Sequence, residues 1–194
     1  MSNFDHYFSN HIAEKIELDT LTIIDYYNPD YDLMYNLRFI FDKKNCTLSI
    51  SGDFGNLAAQ NFYNLGDYHK TYEHFCNNIG YFVDKIKSCS RNIYTYDIDE
   101  AKLYIMEHLL IDDDENKDEI SEKIDELFEY FSDIGGFQHI SDESREWLRH
   151  YDPDYWEWLD CAGKKVSCHI YLFLDAYKRA YEYLTKEVDD GSQK

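Results

Sequence analysis

Asp112, Asp113, Asp114 and Glu115 form an unbroken run of carboxylates, the raw material from which a two-metal nuclease site is built. Such a site needs oxygens converging from separate elements around a shaped cavity. A consecutive run points its side chains apart, and no basic surface accompanies this one to hold a phosphodiester. It reads instead as a solvated helix start, where negative charge suits the helix dipole. Cys161, Cys168 and His169, with His139 or His150, offer thiols and imidazoles. The Cys-x6-Cys-His spacing fits no common zinc pattern and the chain has no CxxC pair, so idle or buried thiols are expected. The same residues could supply a Cys–His nucleophile, yet nothing marks either thiol as activated and no group orients a base. Gly52-Asp53-Phe54-Gly55 lacks the Lys and Ser or Thr of a phosphate loop and leaves a hairpin strand, so it reads as a turn. The expectation is a non-enzymatic protein without cofactor or metal.

Residues suited to binding are more numerous. From Asp112 to Asp133 the sequence predicts a helix with an apolar stripe of Ile120, Ile124, Leu127, Phe131 and Ile134, Phe128 lying beside it. Spacings of three and four put these side chains on one face. Glu119, Glu122, Asp125, Glu126 and Glu129 then point mostly outward, so one helix can both pack on a core and carry a dense negative field. Two further clusters, Asp25–Asp32 and Tyr151–Trp158, mix carboxylates with large amphipathic rings. Tyr and Trp anchor interfaces, and the carboxylates beside them pair with Arg and Lys of a partner. Half of these rings must also fill a core, because Trp147, Trp156 and Trp158 sit in helices that have to bury something. The partner-contact candidates are therefore Asp112, Asp113, Asp114, Glu119, Glu122, Asp125, Glu126, Glu129, Asp152, Asp154 and Tyr155.

Composition agrees with a binding role. The chain has 194 residues, 44% of them hydrophobic and 18% aromatic, which separates it from a disordered acidic tail. Its 39 acidic and 19 basic side chains give a net charge of −20. That excess argues against direct nucleic-acid binding, which needs Lys and Arg to neutralise phosphates. It suits basic partners, including proteins that themselves hold nucleic acid. Five Cys, an odd number, and the lack of a signal peptide predict reduced thiols in a cytoplasm. The apolar runs are too short to span a membrane.

The elements that must position these residues come sheet first, helices after, which predicts an α+β fold. Residues 4–17 read as a short amphipathic helix, and 20–27 as a strand ended by Asn28-Pro29-Asp30. Leu37, Phe39 and Phe41 alternate with Arg38, Ile40 and Asp42. Lys43-Lys44-Asn45 turns the chain, and Leu48 and Ile50 alternate on the return. With 57–63 as a fourth strand, an antiparallel sheet of three to four strands is expected. Short helices follow over 69–78 and 79–88. Asp97 with Glu100 caps a helix through Leu110, and Gly135-Gly136 stops the acidic helix. Ser141 or Asp142 caps another through His150, and Pro153 opens a helix over 154–161. The last helix carries Ile170, Phe173, Leu174, Tyr177, Tyr181 and Leu184 on one stripe. The expected organisation is a single domain: 1–66 helix plus sheet, 67–188 helical, and 189–194 frayed.

Four stretches in succession carry a resemblance: ISGDFGN (Ile50–Asn56), NNIGYFVDKIKSCS (Asn77–Ser90), DIDEAKLYIMEHL (Asp97–Leu109) and YWEWLDCAGKKVSCHIYLFLDAYKRAYEYL (Tyr155–Leu184). Together they resemble a family of small bacteriophage and prophage proteins. The acidic middle helix is the part least like that family. Phage accessory proteins of this size and charge resemble counter-defence proteins, above all acidic anti-CRISPR inhibitors. The resemblance implies a protein of the host cytoplasm that binds a basic nucleic-acid-binding partner, a Cas9-type CRISPR effector first, as a DNA mimic or an allosteric clamp. Such effectors hold heteroduplex in a positively charged channel and read their PAM with Arg. The alternatives are a phage accessory or assembly protein, which could form a homodimer, and a metal-dependent enzyme on nucleotides or nucleic acid.

Overall fold

Alternation of apolar and polar residues becomes a six-stranded antiparallel meander in the computed structural model, which describes residues 4–30, 34–109 and 117–191. Its strands are β1 (Ile12–Glu17), β2 (Leu21–Tyr27), β3 (Leu37–Asp42), β4 (Thr47–Gly52), β5 (Gly55–Gln60) and β6 (Ile86–Cys89), paired in sequence order. The predicted hairpin is present as β3–β4. Phe39 stands opposite Ile50 and Phe41 opposite Leu48, and all four are buried. Its turn is held by Asp42, whose carboxylate accepts from the backbone N–H groups of Lys44 and Asn45, both at 2.9 Å. The next hairpin turns at Asp53-Phe54 between paired Gly52 and Gly55. Gly52 has φ +154°, and a Cβ there would stand 2.0 Å from the Asn36 carbonyl oxygen, so no larger residue fits.

The sheet has two strands more than the upper expectation. Residues 4–17 do not make one helix: only α1 (Asp5–Phe8) is helical, and Ile12–Glu17 is an edge strand paired with β2. Ile12 and Ile16 are four apart, a spacing that fits a helical stripe and one face of a strand equally well. Pairing with a neighbour decides between them. Charged Glu14, Lys15 and Glu17 stand on this edge, where charge discourages further strand addition. Likewise the 79–88 helix shortens to α3 (Ile79–Val83), and Ile86–Cys89 joins β5 with a bulge at Ala58/Ala59.

Contacts divide the chain into two compact units, residues 1–93 with 168–194 and residues 94–167. In the first, α2 (Tyr68–Phe75), α3 and α8 (Cys168–Gly191) accompany the sheet. Ile170, Phe173 and Tyr177 of α8 are fully buried. The Tyr177 ring lies 5.3 Å from Phe39 and 5.5 Å from Phe41, and its hydroxyl donates to the Tyr68 carbonyl. The helix therefore returns 109 residues along the chain to close the sheet's core, and a division at 66/67 does not follow these units. The backbone of the expected frayed tail is helical through Gly191; 192–194 lie outside the described residues.

The second unit is built from α4 (Ile98–His108), α5 (Lys117–Phe128), α6 (Asp142–Tyr151) and α7 (Trp156–Leu159). Two small ribbons join them: β7 (Tyr94–Tyr96) with β10 (Lys164–Val166), and β8 (Phe131–Ser132) with β9 (Gly136–Phe137). Its core gathers Ala101, Ile105, Ile120, Ile124, Leu127, Leu148 and Leu159. The predicted caps are present: Asp97 accepts from the Glu100 N–H at 3.0 Å and Ser141 from the Ser144 N–H at 3.0 Å. No helix of the described residues is long and apolar enough to cross a membrane.

Candidate protein-binding surface

Helix α5 separates its faces as its periodicity requires. Ile120, Ile124, Leu127 and Phe128 are buried, while Glu122, Asp125 and Glu126 are exposed, as is Glu129 in the turn just after the helix. The helix ends earlier than expected, at Phe128. Phe131 instead lies in β8 and packs in an aromatic triad with Phe128 and Phe137, centroids 5.0–5.1 Å apart. Ile134 leaves the stripe altogether and is 63% exposed. Gly135-Gly136 does not stop the helix; it turns the β8–β9 ribbon, with Gly136 at φ +60°. Glu119 lies in the first turn of α5, and Asp112, Asp113 and Asp114 lie outside the described residues.

Two of the α5 carboxylates already hold cations. Lys102 Nζ is 2.7 Å from Asp125, and Lys123 Nζ is 2.7 Å from Glu126. Both pairs are solvent-exposed, and such pairs contribute roughly 0–1 kcal/mol, so a partner's cations could replace these lysines at little cost. Glu122 and Glu129 make no ion pair among the described residues. The second unit as a whole carries 22 carboxylates against seven Lys and Arg, a net −15. The first carries 17 against 12, a net −5. Charge is thus concentrated in the unit that contains α5.

The second cluster is arranged differently from its expectation. Tyr155 is 7% exposed and belongs to the core, so it cannot anchor a partner. Asp152 is half-buried and occupied internally. It accepts from Trp158 Nε1 at 2.7 Å and from the Asp154 N–H at 2.9 Å. The Trp158 hydrogen bond, then the backbone one, hold its carboxyl below the usual value, opposed by some desolvation and helped by nearby His108. Asp154 is exposed, as expected of a contact residue. Trp156, absent from the candidates, is 61% exposed beside exposed Asp154, Glu157 and Asp160. Its position was legible: Tyr155, Trp158, Leu159 and Ala162 recur at three and four residues and face inward, which leaves position 156 outside that stripe.

The first aromatic cluster is also largely engaged within the fold. Asp25 forms a two-point pair with Arg38, at 2.5 and 2.9 Å, and Tyr26 is buried. The Tyr27 hydroxyl donates to Glu14 at 2.7 Å; residues 31–33 lie outside the described residues. All five Cys are free thiols, and Cys168 Sγ stands 3.8 Å from His169 Nδ1. No group of three or more His, Cys, Asp or Glu is placed to hold a metal among the described residues.

Fold and surface together define an α+β protein with an acidic helical unit and an outward carboxylate face. Comparison with family models, curated proteins and solved structures finds no match.

Proposed function

We propose that the chain acts by binding, in the host cytoplasm, and that the carboxylate face of α5 engages the basic groups on which a partner holds nucleic acid. The partner class is a CRISPR effector nuclease of the Cas9 type, and the consequence is blocked nucleic-acid binding or cleavage. The observation that carries this reading is the concentration of net −15 in one unit, with Glu122, Asp125 and Glu126 exposed on α5 and Glu129 exposed in the turn that follows it. Opposite charge on the partner would steer encounter and raise the association rate at low salt. Trp156, with Asp154, Glu157 and Asp160 around it, supplies an anchor of the type that dominates interface energetics.

Cleavage of a matched target by Cas9, with and without the purified protein at two salt concentrations, tests the reading. Inhibition that weakens with salt and is lost on combining Glu122→Lys, Glu126→Lys and Glu129→Lys supports it. No inhibition and no complex on size exclusion removes Cas9 as the partner.

A second reading has its own observation. Leu103 and Met106 are exposed on α4, as an accessory or assembly protein that binds itself or another phage protein would require. Self-association insensitive to salt would favour it.

A further inference from the structure

The first unit contains a cavity of about 370 Å³, within the roughly 300–1,000 Å³ typical of small-molecule sites. Phe4 and Leu174, both buried, and half-buried Ile79 and Cys76 give it an apolar lining. Polar groups stand at exposed Asn77 and Tyr171 and at half-buried Lys178. The lining combines elements distant in sequence: the segment entering α1, the α2–α3 connection, and one face of α8.

The charges there do not cancel. Asp175, the cavity's carboxylate, is held by Arg179 at 2.7 Å, and Arg179 also reaches Asp5 at 2.6 Å. Lys178 makes no ion pair among the described residues. One ammonium is therefore left beside an apolar cavity in a chain of net charge −20. Lys178 is close enough to act on Cys76: it opposes the burial that, joined by smaller effects of Glu182 and Asp175, pushes that thiol up to about 12. At that value the thiol is protonated at neutral pH and serves as an apolar wall.

We propose that this cavity binds a small amphipathic carboxylate. Its aliphatic part lies against Phe4, Ile79 and Leu174, and its carboxylate pairs with Lys178 Nζ, with the Asn77 amide and Tyr171 hydroxyl as further donors. Burial of the chain supplies affinity, and the ammonium supplies the preference for an anionic head. The site lies wholly in the first unit and does not depend on the acidic face of α5.

The test is amide chemical-shift mapping of the full chain by nuclear magnetic resonance, with octanoate below its micellar concentration and octylamine at matched concentration. Octanoate is expected to give saturable shifts centred on Asn77, Ile79, Leu174 and Lys178. Octylammonium is expected to bind at least about tenfold more weakly, as is octanoate to Lys178→Gln. Ile79→Trp, which fills the cavity, is expected to abolish the shifts while the spectrum elsewhere overlays that of the parent. Equal binding of the two amphiphiles, or unchanged affinity in Lys178→Gln, overturns the assignment of an anionic head. No saturable shifts, or shifts centred elsewhere, overturn the site.

Discussion

The indole N–H of Trp158 donates to the Asp152 carboxylate at 2.7 Å, and this bond closes the turn between α6 and α7. A carboxylate that its aromatic cluster in the sequence offers to a partner is therefore engaged within the chain itself. With Asp152 holding Trp158 inward and Tyr155 in the core, the exposed part of this segment is Trp156 with Asp154, Glu157 and Asp160.

Asp152→Ala should lower the thermal midpoint, whereas Asp154→Ala should leave it nearly unchanged. The sign with pH follows from the lowered carboxyl value. The Asp152 contribution is present above the unfolded carboxyl value of about 3.9 and is lost as pH falls through the lower folded one. Midpoints of parent and Asp152→Ala should therefore converge in strong acid. A constant difference down to the lowest accessible pH would contradict the assignment.

Glu122→Lys and Glu129→Lys change exposed residues that hold no internal cation among the described residues. Their effect on stability should stay within about 0.5 kcal/mol by chemical denaturation. Binding to the partner should fall with each reversal and become less salt-dependent. A large stability loss would mean that this helix face is packed rather than presented.

Tyr177→Phe removes a buried hydroxyl that donates to the Tyr68 carbonyl, joining α8 to the start of α2. The expected loss is about 0.5–1.5 kcal/mol, since ring packing on Phe39 and Phe41 remains. Tyr177→Ala should cost about 3–5 kcal/mol by leaving a cavity where an aromatic ring had been. Urea denaturation of both variants reads the difference directly.

His11 gives a second pH dependence with a different window. The side chain is buried, its Nε2 contacts the Tyr35 carbonyl at 3.1 Å, and Nδ1 has no hydrogen-bond partner among the described residues. Rings of Phe8 and Tyr26 stand 5.3 and 4.9 Å away. Desolvation holds the imidazole below its ordinary value, against the raising effect of the Tyr35 contact. The unfolded chain therefore takes up its proton first. Stability is full above about pH 6.5 and declines as pH falls below it, until the folded value is passed. His11→Gln should flatten the denaturation midpoint between pH 7.5 and 5.5; an unchanged slope would contradict this origin.

Interactions within a few residues were legible in the sequence. Asp97 and Ser141 cap helices three residues from the N–H groups they accept, and Asp42 holds its turn the same way. Alternation put Phe39, Phe41, Leu48 and Ile50 on the apolar face of a hairpin, and a 3.6-residue period put Ile120, Ile124 and Leu127 inside while Glu122 and Glu129 stayed outside. The order of sheet before helices followed from these patterns. Tertiary structure decided the rest. Residues 12–17 became a strand because β2 offered hydrogen bonds, a choice that the four-residue spacing of Ile12 and Ile16 left open. Ile86–Cys89 became one because β5 stood beside it. Tyr155 and Trp156 are adjacent aromatics of similar chemistry; periodicity separates their faces, and the packing of α7 on its core determines that the face of Tyr155 is the buried one. Periodicity fixes which face of an element is apolar; what covers that face depends on residues far away in sequence, as Tyr177 meeting Phe39 and Phe41 demonstrates.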